Sequence, residues 1–302
     1  MTTKKMAMAS PNKNLDQALY QRRLELAAEQ AELLIERLQV QRIPVDPTKI
    51  AASEGKLIRL CPGNYKDAFD GCLEFLPERG LFLCYYNTKY DRPGDECHAA
   101  RTRFSLAHEL GHFFIESHHQ YLRSGGRSHG SKSEFVASMP VERQADMFAA
   151  HLLMPDRVFK PLVNQGELSA DGIIELAQTF ATSCVSTALR AIECTHFFCA
   201  AAVLRDGKIA WLRPGRPLIE CGIYPGERGT IRSPTAQCAW RDYTAGERSF
   251  VEQTGWARDW FRIYDEGRQR SLSVTEAYIA VPVMNSVLVL LTVPEDELLD
   301  AE

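Results

Sequence analysis

The sequence predicts an α+β fold spread over two or three domains, and three observations carry that prediction. At 302 residues the chain is about twice the usual single-domain length. Helix-period and strand-period stretches both run through it, and its character changes after His196, where hairpins replace helices. Hydrophobic residues make up 45% and charged residues 25%, with 9% aromatic, an ordinary globular composition. That excludes a mostly disordered chain, a collagen-like repeat and a small disulfide scaffold. The formal net charge is −4, from 35 Lys+Arg against 39 Asp+Glu, so no basic field points to nonspecific nucleic-acid binding.

Taken in order, residues 1–14 read as a flexible lead-in. A helix is expected from Leu15 to Val40, with Leu19, Leu26, Leu33 and Val40 on one stripe. Arg22, Arg23, Glu29, Gln30, Glu36 and Arg37 stand where a coiled coil needs apolar residues, so packing within its own domain is the better account. A short helix follows over Pro47–Glu54. Strands are expected at Lys56–Cys61, Phe69–Leu76 and Leu81–Tyr86, the last two joined through Gly80. A helical pattern runs from His98 to Ser117, a loop from 118 to 133, and a second helix from Val141 to Met154, where Pro155 stops it. Residues 171–193 form two helical patterns joined near Thr182-Ser183. Beyond them VLRDGKIAWLR is a hairpin with Asp206-Gly207 at its turn. An aromatic helix is expected over Arg248–Tyr264, and two strands with a turn close the chain.

Nine cysteines are present, an odd number with no C-x-x-C pair. They read as small buried hydrophobes in a reducing cytoplasm. No signal-like run follows the N-terminal lysines, and Pro282 and Asn285-Ser286 break the longest apolar stretch, so no membrane association is expected.

The sharpest chemical signal is His108-Glu109-Leu110-Gly111-His112 on a predicted helix. Residues four apart share a helical face, so both imidazoles can reach one ion, with Glu109 beside them as a general base. Glu142 and Asp146 repeat that spacing at the start of the second helix. A catalytic zinc commonly takes three protein ligands, and Glu142 is the natural third. Asp146 could accept the other ring N–H of a ligating histidine and fix its tautomer. The bland alternatives are two satisfied histidines and a solvated acidic pair.

With these residues in place, RTRFSLAHELGHFF (101–114) followed by ERQADMFAAHLLMP (142–155) resembles the ImmA/IrrE metallopeptidases, a gluzincin-type family. The resemblance implies a zincin-like metallopeptidase domain over 15–160, a helix-turn-helix-like segment over 161–195 and a regulatory, GAF-like α+β domain over 196–302. It implies metal ligands His108, His112 and Glu142, and Glu109 as catalytic base. It also implies a cytoplasmic protease that cleaves an Xre-type helix-turn-helix repressor, derepressing stress-response or mobile-element genes, and so regulates transcription. Zinc is the expected ion, with manganese the alternative, since two histidines and a carboxylate suit several metals.

The 118–133 loop carries Arg123, Arg127, Lys132 and three histidines without an acidic residue, and it reads as a substrate-facing flap, a basic patch or a solvated insertion. His118, His119, Tyr121 and His129 qualify by type as oxyanion donors. In the helical pair, Cys184, Ser186, Thr187 and Arg190 are a thin set for DNA reading, so direct DNA binding is not expected. The expected function is a zinc endopeptidase whose C-terminal domain responds to a small molecule or protein. The rivals are a non-catalytic regulator that uses the fold for binding, and a DNA-binding transcription factor.

Overall fold

The computed structural model describes residues 11–95, 97–128, 130–131, 139–166 and 168–299. The lead-in at 1–10, His129 and Lys132 lie outside the described residues. The chain divides into two units, Met1–Asp156 and Arg157–Glu302. Both combine helices with sheets, as expected for an α+β chain. No helix among the described residues is long and apolar enough to cross a membrane.

The first unit opens with α1 (Pro11–Arg37), which begins four residues before the expected Leu15, and α2 (Pro47–Ser53). Strands β1 (Ile58–Gly63), β2 (Gly71–Leu76) and β3 (Leu81–Asn87) follow. Then come α3 (Ala100–Phe114), α4 (Glu116–Arg123) and α5 (Pro140–Leu153). The strands pair in the order β1-β3-β2, with β1 parallel and β2 antiparallel to β3, which leaves β2 at an edge. Helix α3 is the centre of this unit. It packs on β2 and β3 on one side and on α5 on the other, and Leu106, Ala107 and Leu110 have no exposed surface.

Two expectations are corrected here. Helix α1 does not bury its leucine stripe: Leu19, Leu26 and Leu33 are 55%, 44% and 62% exposed. The face against α5 is instead Leu24, Ala27, Ala31, Leu34 and Ile35, because small alanines let two helices approach closely. The loop expected at 118–133 is helical as far as Arg123, since α4 gains a fresh start when α3 ends at Ile115. Its buried residues, His118 and Leu122, are four apart and share one face.

The second unit starts as helices: α6 (Asp156–Val163), whose first residue belongs to the first unit, then α7 (Ala170–Phe180) and α8 (Cys184–Cys194). Ser169 and Ser183 cap α7 and α8 by accepting from Gly172 N and Ser186 N. There follow β4 (Cys199–Arg205), β5 (Lys208–Pro214), α9 (Arg216–Glu220), β6 (Ile223–Pro225), β7 (Gly229–Thr230) and α10 (Pro234–Thr244). The chain ends with β8 (Gln253–Trp256), β9 (Phe261–Ile263), α11 (Glu266–Ser271), β10 (Ser273–Val281), β11 (Ser286–Thr292) and α12 (Glu295–Leu299). Six strands form one sheet in the order β7-β5-β4-β11-β10-β8. The β4–β5 turn places Asp206 and Gly207 at φ 51° and 68°, the left-handed pair that a tight hairpin demands.

The aromatic helix expected over Arg248–Tyr264 does not form. Gln253–Trp256 pairs with Ser273–Glu276 at the sheet edge, and a 3₁₀ turn leads to β9. The aromatic spacing imitated a helical stripe, but these rings serve separate places. Trp260 is buried with its Nε1 donating to Glu276 at 2.8 Å, while Tyr264 is exposed. Glu276 itself is fully buried, and among the described residues no cation pairs with it. Its carboxylate accepts from Ser233 Oγ at 2.9 Å, Thr235 Oγ1 at 2.6 Å, Trp260 Nε1 and the Tyr278 hydroxyl. Burial and the adjacent Glu276 carboxylate hold the Tyr278 phenol well above its usual range, so it remains a donor.

Candidate metal centre

Helices α3 and α5 bring the site together, and a missing side chain sets their separation. A Cβ on Gly111 would lie 3.1 Å from Ala145 Cα and 3.2 Å from its carbonyl oxygen. Both distances are tighter than ordinary contact, so glycine at this crossing favours a close approach of the helices. The His108 and His112 face of α3 is thereby held against the first turns of α5, where Glu142 and Asp146 lie.

The donor atoms converge. His108 Nε2 lies 3.1 Å from Glu142 Oε2, His112 Nε2 lies 3.5 Å from Glu142 Oε1, and the two Nε2 atoms are 3.2 Å apart. Both histidines are buried and Glu142 is nearly so. Two imidazole nitrogens facing each other across one carboxylate suit a shared cation, and the remaining ring nitrogens fit that arrangement. His108 Nδ1 is 2.9 Å from Asp146 Oδ1, and His112 Nδ1 is 3.1 Å from His118 Nδ1. Burial alone would lower the His108 pKa, but its bonds to Asp146 and Glu142 reverse that and push it up to about 10. The pocket therefore stabilises positive charge at the point where a metal would bind.

Glu109, between the two histidines in sequence, is 1% exposed and faces the start of β2. Ser131 Oγ donates to its Oε1 at 2.6 Å. The approach to β2 is organised by Asn87, whose Nδ2 donates to Lys66 O and Phe69 O while its Oδ1 accepts from Tyr65 N. Glu109 and His112 open onto a cleft of about 800 Å³, walled by Leu26, Leu73, Met139 and Val141 with Arg23 and Arg127 beside them. Cys72 lies nearby, but burial, with Glu109 adding to it, pushes its thiol up to about 11, so it is no nucleophile.

Of the oxyanion candidates, Tyr121 lines the cleft and is exposed. His118 is engaged with His112, and His119 bonds Phe113 O at 2.8 Å with its ring against Phe82. Sequence spacing missed His118 as a partner of His112, and it missed Ser131 altogether. Both arrive through chain reversals that no helical period encodes.

Residues 95–191 match the family model Peptidase_M78, described as the IrrE N-terminal-like domain. Over that third of the chain the similarity is to an IrrE N-terminal-like domain. The match contains the HELGH and ERQAD segments and runs on through α7 into α8. No curated protein matches the chain. Among solved structures it is similar to one described as a Mycobacterium tuberculosis transcriptional regulator, with a TM-score of 0.56 and 14% identity over 97% of this chain and 84% of that one. At that identity the likeness is one of fold.

Proposed function

We propose that this IrrE-like protein is a cytoplasmic zinc-dependent endopeptidase that cuts an Xre-type helix-turn-helix repressor and thereby relieves repression. The observation that carries this reading is the convergence of His108, His112 and Glu142, with the buried carboxylate of Glu109 alongside. His108 Nε2, His112 Nε2 and Glu142 would hold the ion, with Asp146 and His118 fixing the tautomers from behind. When bound, zinc polarises a carbonyl and makes water more acidic, as manganese does to a lesser degree. Glu109 takes the proton of the attacking water and passes it to the departing amine. The apolar cleft beside it accommodates a polypeptide side chain.

Two further observations favour a protein substrate over DNA. Thr187 and Arg190 of α8, the residues a reading helix would present, are buried, and the Arg190 guanidinium lies over the Phe159 ring. The nine cysteines are free thiols, which suits a reducing cytoplasm. In the second unit, β4 and β11, its first and last strands, are neighbours inside an antiparallel sheet, which supports a GAF-like domain that responds to a small molecule or protein.

Co-incubation with a candidate repressor, with and without chelator, tests the reading. Glu109→Gln should keep zinc and lose cleavage. If that variant relieves repression in cells as well as the wild type does, the second reading holds: a non-catalytic regulator that uses the fold for binding.

A further inference from the structure

The chain leaves α4 and passes over the Tyr121 ring at Gly126, then meets Phe69 at Gly130, where a Cβ would lie 2.7 Å from that of Phe69. Ser131 then docks on the edge strand. Its N–H donates to Gly71 O at 2.8 Å, and its carbonyl accepts from Asp70 N at 2.8 Å, a two-bond antiparallel bridge. From this anchored backbone the hydroxyl reaches Glu109 Oε1 at 2.6 Å, and Ser131 is buried. Gly71 completes the fit, because a Cβ there would sit 2.5 Å from the same oxygen. Separate segments thus converge on one carboxylate: β2 makes room for it and the docked turn bonds it.

We propose that Ser131 is the positioning residue for the general base Glu109, a proposal that rests on the metallopeptidase reading above. A carboxylate turns easily about its terminal torsion. A charge-assisted O–H···O⁻ bond of this length, from a donor fixed by two backbone bonds, sets the plane of the group. With Oε1 held, the other oxygen is presented at a constant angle to the reacting water, and such orientation is a large part of what a general base contributes.

The test uses the full chain loaded with zinc. Acetohydroxamic acid, which chelates the metal and hydrogen-bonds an adjacent carboxylate, is titrated by calorimetry into wild type, Ser131→Ala and Ser131→Thr. Ser131→Ala should bind zinc as wild type does but bind the hydroxamate about tenfold more weakly, with Ser131→Thr restoring most of the loss. On a cleaved repressor, kcat should fall about tenfold with KM unchanged. Should Ser131→Ala not fold, Ser131→Cys keeps the volume while donating weakly, and the same loss is expected. Unchanged hydroxamate affinity, or a kcat that stays level or rises, overturns the assignment; a rise would mean that Ser131 restrains the base. If wild type cleaves nothing, the protease reading falls, while the hydroxamate titration still decides the role of Ser131.

Discussion

Asp146 Oδ1 lies 2.9 Å from Nδ1 of His108, while Nε2 of the same ring faces Glu142 at 3.1 Å. Both nitrogens of one imidazole are thus addressed by a single helix, α5, through residues one turn apart. The two contacts hold the ring in one orientation. Asp146→Ala should therefore lower metal affinity about 10- to 100-fold without unfolding the first unit. Competition against a chromophoric chelator measures this, and unchanged affinity would leave Asp146 with no part in the centre.

A pH dependence follows from His108, whose pKa rises from 6.5 to about 10 beside Asp146 and Glu142. Because the folded value exceeds the unfolded one, protonated His108 stabilises the metal-free protein. That contribution is complete below pH 6.5 and is lost as pH rises toward 10. The Tm of chelator-treated protein should therefore fall across this window. Zinc requires the neutral ring, so loading at pH 7.5 should release a proton, read by calorimetry in two buffers of different ionisation enthalpy. Equal heats in both buffers would contradict it.

Gly111 governs the separation of α3 and α5. Gly111→Val places methyl groups against the backbone of Ala145, which cannot swing aside as a side-chain tip can. Overpacking of this kind costs about 1–3 kcal/mol. The variant should show that loss in urea unfolding together with weaker metal binding, because moving α5 moves Glu142. Weaker stability with full metal affinity would separate the two effects and refute the link.

The buried Glu276 in the second unit gives a test independent of the metal. All four of its partners donate, so Glu276→Gln would set an amide NH2 among them. Glu276→Ala would strand the donors. Each unsatisfied buried group costs about 1–3 kcal/mol, so both variants should be clearly destabilised in denaturant titration. If Glu276→Gln unfolds at the wild-type midpoint, the carboxylate is not what joins α10, β10 and Trp260.

The helices of the candidate metal centre were legible in the sequence because its residues obey the helical period: His108 and His112, and then Glu142 and Asp146, stand four apart. The Asp206-Gly207 hairpin was legible because its backbone angles restrict residue type. What escaped depends on encounters between distant segments. Ser131 meets Glu109 across a turn, and His118 meets His112 because the chain bends at Ile115 to begin α4. The leucines of α1 drew attention by size, whereas its contact face depends on the smallness of Ala27 and Ala31. The aromatic run after Arg248 has a plausible helical period, but pairing with β10 is worth more to its backbone than a helix would be.

The close crossing at Gly111 and Ala145 also bears on how the protein meets a metal-poor cell. Around it lies an apolar interior that includes Leu106, Leu110, Phe113, Phe148 and Leu152. Small zinc domains collapse when stripped, because the ion is their core. Here the shape is supplied by hydrocarbon, and the ion would join a seat that is already formed. On the metallopeptidase reading proposed above, scarcity of metal would then silence the molecule and leave it intact, so that it could resume work on resupply without new synthesis.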